Sequence, residues 1–124
     1  MTSSIPLEKL AAYKQHVARR EALRQASLDK RKAQAWSAAQ AAAIALRQGF
    51  GARRVVLCGS LAHGAWWHEH SDIDLAVEGI APEQFWRAWG AIESLAPGIE
   101  INLAALEDVK PAVRRSIERE GVEL

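Results

Sequence analysis

A single cysteine in 124 residues leaves this chain no internal disulfide. No apolar stretch approaches the length of a membrane span. The N-terminus, with Ser3, Ser4, Pro6 and Glu8, lacks the basic-then-apolar pattern of a secretory leader. Charge of one sign is also missing. Sixteen Lys and Arg stand against fifteen Asp and Glu, and a net charge of +1 argues for no global field toward nucleic acid or membrane. Repeats and low-complexity linkers are absent, and the 25% of charged residues is ordinary for a globular domain. The expectation is a cytoplasmic chain, one structural unit with one core. Cys58 ends a buried-type run and reads as a small core residue.

Strong helix breakers are missing between Pro6 and Gln48. Ser3 or Ser4 can cap a helix there, with Pro6 in its first turn and Gly49 as its C-terminal cap. The stretch reads as two helices or one long bent helix. Ala35, Trp36, Ala39, Ala42, Ala43 and Leu46 form a broad apolar face suited to close packing on a sheet. Lys14 to Lys32 holds seven Lys or Arg against two acidic residues and is weakly apolar. It is either a solvated arm or a partner surface. Without a recognisable DNA-binding fold, nucleic acid is not its expected partner.

Beyond Gly51 the pattern changes to strands. Val55–Cys58 is a β-branched run, and Ser60–Gly64 suits a helical turn before an irregular loop. Asp72–Val77 alternates as a second strand. Pro82 starts a helix with Phe85, Trp89 and Ile92 on one face, halted before Pro97-Gly98. Ile99–Leu103 alternates as a third strand, and Pro111 opens a last helix ending at Gly121. A small mixed sheet with helices on one face, an α+β fold, leaves the other face for a site. Trp36, Phe85 and Trp89 read as core. Trp66 and Trp67 are adjacent, so one belongs inward and the other outward.

Alternation puts Asp72, Asp74 and Ala76 on one strand face, with Ile73, Leu75 and Val77 on the other. Aspartate is a poor strand former, so two of them flanking Ile73 need a reason. Side by side, the carboxylates repel unless something cationic sits between them. A hard divalent cation bound through oxygens and completed by phosphates suits them. The turn at Gly59-Ser60 offers backbone N–H groups and a hydroxyl to such phosphates. His63, His68 and His70, with Cys58 and Glu69, match no established zinc spacing. They read as solvated or as contacts to a nucleotide.

Gly59-Ser60, Gly64 and Ser71-Asp72-Ile73-Asp74-Leu75 together resemble the minimal nucleotidyltransferases of the polymerase-β superfamily. Their signature is Gly-Ser, a loop, then Asp-x-Asp on the next strand. Leu106-Glu107-Asp108, Pro111 and Ile117–Val122 resemble the family's usual ending. The resemblance implies a polymerase-β-like nucleotidyltransferase domain over residues 49–124; residues 1–48 carry none of its motifs and read from their own pattern as a helical segment packed on that domain. It implies transfer of AMP from ATP to an acceptor hydroxyl. Asp72 and Asp74 would hold Mg2+, and Gly59 and Ser60, with Gly64 and Ser71 in the same motif, would bind the nucleotide. A third carboxylate is expected where this chain has Asn102, and an amide cannot serve as a base at neutral pH. Glu100, two residues earlier on the same face, is the candidate substitute. The resemblance also implies a HEPN-type helical protein as partner, with this chain as its antitoxin. Neutralisation would come by adenylylation or, in a catalytically impaired form, by binding alone. A homo-oligomer is compatible with either.

Overall fold

The computed structural model describes residues 5–124, so the cap expected at Ser3 or Ser4 lies outside the described residues. One unbroken helix, α1, spans Leu7–Phe50. It resolves the choice between one helix and two, because nothing between Pro6 and Gly51 breaks it. Pro6 is its N-terminal cap rather than a first-turn residue, with an extended backbone. The C-terminal cap is Gly51, not Gly49. Gly51 adopts φ +74°, a left-handed conformation that a side chain disfavours, whereas Gly49 stays inside the helix.

The helix uses its two halves differently. Ala35, Ala38, Ala39, Ala42, Ala43 and Leu46 are buried, and the small alanines let the helix approach the sheet closely. From Leu7 to Ser27 every residue is exposed except the half-buried Leu10.

Four strands follow: β1 (Arg54–Cys58), β2 (Ile73–Glu78), β3 (Ile101–Ala105) and β4 (Val122–Glu123), in the order β3-β2-β1-β4. β1 pairs antiparallel with β2 and β4, while β2 and β3 are parallel, so the sheet is mixed as expected. α2 (Gly59–His63) follows β1 directly. A 3-10 turn at Pro82–Gln84 leads into α3 (Phe85–Ile92), and α4 (Pro111–Glu120) precedes β4. Val55, Leu57, Ile73, Leu75, Val77, Ile101 and Leu103 line the core face and meet α1 and α3. Phe85, Trp89, Trp36 and Trp67 pack against that core from its edge. Val56 and Ala76 point to the opposite face, where Leu106 and Val109, ahead of α4, and Ile117 on it join them in a smaller cluster.

The third strand starts two residues later than its alternation suggested. Gly98, at φ +79°, and an Ile99 N–H to Ala96 carbonyl bond of 2.9 Å hold Ile99 in a turn. Ile99 is buried all the same, which is why its apolar period looked like strand. Glu100 thus sits just outside β3 and is exposed, although its carbonyl accepts the Ile73 N–H at 2.9 Å.

Candidate functional site

Register builds the site. Cys58 of β1 pairs with Asp74 of β2, and Asp74 with Asn102 of β3, so the three form one row across the sheet. Side chains in a row share a face, here the one turned away from α1 and α3. Asn102 Nδ2 donates to Asp74 Oδ1 at 3.3 Å. Asp72 lies one residue before β2 and is half-buried, and strand alternation gives it the side of Asp74.

On the β1 side, the chain turns at Gly59 with φ +71°. A Cβ there would lie 2.4 Å from Asp74 Oδ2, so a larger residue would be strained by conformation and would push that carboxylate out of place. The turn that should face phosphates therefore rests directly against the carboxylate that should face a metal. α2 ends at Gly64, φ +74°, whose N–H returns to the Ser60 carbonyl at 2.8 Å. Ser71, just ahead of Asp72, is buried, and its Oγ accepts the His68 N–H at 2.9 Å.

A cavity of about 490 Å³ opens beside Gly59 and Ser60, closed on its far side by Ser116, Ile117 and Glu120 of α4. His63 and Trp66 stack in its wall, ring centroids 5.6 Å apart and nearly parallel. His63 Nε2 lies 3.7 Å from Glu120 Oε2. Trp66 is exposed and Trp67 packs inward, the division their adjacency required. α4 packs over β1 and β2 through Ile117 on Val56 and Ala76, and ion pairs rim that contact. Arg54 bonds Glu118 at 3.1 Å and also Glu123, and Arg114 bonds Glu78 at 2.6 Å. The hydrogen bond from Arg54 holds the Glu118 carboxyl below its ordinary range.

Cys58 is half-buried and packs at the edge of the smaller cluster of Val56, Ala76 and Leu106. Burial, and then the charge of Asp74, pushes its thiol up to about 11, so in the metal-free protein it stays protonated. The His68 and His70 rings meet edge to face, the His70 N–H donates to His68 Nδ1 at 3.1 Å, and among the described residues no three His, Cys, Asp or Glu side chains converge on a metal position. Neither Asp72 nor Asp74 is ion-paired among the described residues. Two carboxylates without a protein cation, one of them beside an amide, suit a hard divalent ion. Glu100 is brought to the edge of this face, outside the ladder.

Arg31 and Lys32, which the sequence offered only as part of a basic run, reach the site's loop. Arg31 Nη2 donates to the Ser71 carbonyl at 3.3 Å. Lys32 Nζ would meet a Cβ on Gly64 at 3.2 Å. The one available signal was the Lys30-Arg31-Lys32 cluster, whose direction a sequence does not reveal.

Residues 43–124 match the model of the nucleotidyltransferase domain family. A solved protein described as a "putative minimal nucleotidyltransferase" superimposes with a TM-score of 0.57 and 28% identity, over 78% of this chain and 95% of that one. None of the curated proteins matches the sequence significantly.

Proposed function

This chain belongs to the nucleotidyltransferase domain family, and from that premise we propose that it moves AMP from ATP onto a hydroxyl of a protein partner. The observation that carries the reading is the close approach of Gly59 to Asp74, which sets the turn we assign to the phosphates against a carboxylate with no ion pair among the described residues. Asp72 and Asp74 would hold Mg2+, which when bound neutralises charge developing on the phosphates. Gly59 and Ser60 would bind the β- and γ-phosphates, Gly64 would let the loop close over them, and Ser71 would fix the approach to Asp72. The acceptor oxygen forms its new bond to the α-phosphorus as the bond from that phosphorus to the bridging oxygen breaks. Pyrophosphate leaves, and the acceptor proton passes to a base. Glu100 is the carboxylate for that role, since Asn102 holds Asp74 but cannot take a proton.

The partner would be a HEPN-type helical protein, which this chain serves as antitoxin. The exposed stretch of α1 from Leu7 to Ser27, with Tyr13, Val17 and Leu23 uncovered, offers the surface. Asn102 beside Asp74 favours a second reading, an impaired site that binds nucleotide and neutralises the partner by masking it. Incubating the partner with labelled ATP, Mg2+ and the protein decides between them. Covalent AMP on the partner, reduced about 10²–10⁴-fold by Glu100→Gln, supports transfer by a general base. Neutralisation without label supports masking.

A further inference from the structure

One side chain from outside the family-matched region fastens the approach to both site strands. Arg31 Nη2 donates to the carbonyl of Ser71, the residue before Asp72, and Nη1 donates to the carbonyl of Gly98, two residues before Glu100, at 3.3 and 3.2 Å. Its guanidinium carbon lies 5.9 Å from the centre of the Trp67 ring, and the Trp67 indole N–H donates to the Leu28 carbonyl at 3.3 Å, one helical turn before Arg31. Arg31 Nε is buried and makes no hydrogen bond among the described residues. An unmet buried donor is unfavourable, so the head group sits where the two carbonyls, and not its own solvation, place it. Just past these carbonyls, the Ile73 N–H reaches the Glu100 carbonyl and begins the parallel pairing.

We propose that Arg31 is a positioning residue of the site. It sets Asp72 against Glu100 by bridging the chain segments that deliver them, and so governs the affinity of the Asp72–Asp74 pair for a divalent ion. It touches no substrate. A planar fork offers two nitrogens at a fixed spacing to two carbonyls, whereas a lysine ammonium is a single point that does not reproduce that spacing. The inference rests on the nucleotidyl-transfer reading, because only there does the placement of Asp72 have a chemical consequence.

The test uses the full chain with Arg31→Lys and Arg31→Ala. Hydrogen exchange is followed in peptides covering 71–75 and 98–102, and binding of ATP by calorimetry with Mn2+ and with EDTA. Arg31→Lys should speed exchange in those two segments at least tenfold while the rest of the sheet is unchanged. It should weaken Mn2+-dependent ATP binding at least fivefold and leave binding in EDTA unaltered. In an Asp72→Ala background the same substitution should weaken binding no further. If Arg31→Ala does not fold, Arg31→Lys and this cycle still decide. Metal-dependent affinity within twofold of wild type, or an undiminished loss in the Asp72→Ala background, overturns the proposal. A wild type with no metal-dependent ATP binding overturns the nucleotidyl-transfer reading instead.

Discussion

Asn102 gives its amide N–H to the one carboxylate that a third acidic group would repel, and this makes it the most informative single position. Asn102→Asp is nearly isosteric but replaces a donor with a charge. The metal-free protein should lose about 1–2 kcal/mol, the scale of a lost partly buried hydrogen bond. Added Mg2+ should return more stability than it does to the wild type. Thermal melts in EDTA and in Mg2+ read both effects, and equal melting in EDTA would contradict them. Cys58 supplies a pH test on the same row. Its folded-state thiol titrates at about 11, above the ordinary value of about 8.5, so its contribution to stability is complete below about pH 8.5 and is lost as pH rises through 11. Thiol alkylation of the folded protein should follow the higher value and that of the unfolded chain the lower one. The two aspartates, Gly59 and Ser60 were legible in the sequence because strand period and turn chemistry are local. Arg31, Lys32 and the cavity wall at Ser116 and Glu120 were not, because only tertiary packing brings them there.

Elements were legible where their signals did not compete. The lack of breakers announced helix throughout the N-terminal stretch but left one helix or two open, which the single 44-residue α1 settles, and its alanine face followed from periodicity. β3 shifted because Ile99 is buried in a turn, and burial alone produces the same alternation as a strand. β4, of two residues, is too short to carry any period, and it exists because α4 returns the chain to the free edge of β1. The return is tight. A Cβ on Gly121 would lie 2.4 Å from Val56 Cγ1 and 2.5 Å from the Ile117 carbonyl. Gly121→Ala should therefore cost about 1–3 kcal/mol in urea denaturation, the range for overpacking, by pushing α4 off Val56 and opening the cavity. A change below a few tenths would mean that α4 moves freely over β1.

For the molecule as a whole, the question is what each half of α1 serves. The half from Ala35 to Leu46 is core. The half before Leu28 makes no comparable burial, and an isolated helix of that length is marginal in water without a packed face. Deleting residues 1–24 should leave the melting temperature within a few degrees of the intact chain while abolishing co-purification with the helical partner. Retained co-purification would move the partner surface elsewhere, and a collapse in melting temperature would make the exposed half structural. The central claim is that Asp72 and Asp74 form a metal-dependent nucleotide site against Gly59-Ser60. Calorimetric titration of ATP into the intact protein, in Mg2+ and in EDTA, tests it most directly. The account predicts binding at least tenfold tighter in Mg2+, with that advantage gone in the Asp72→Ala, Asp74→Ala double variant. Equal affinity in both buffers, or a double variant that keeps the Mg2+ advantage, would contradict it.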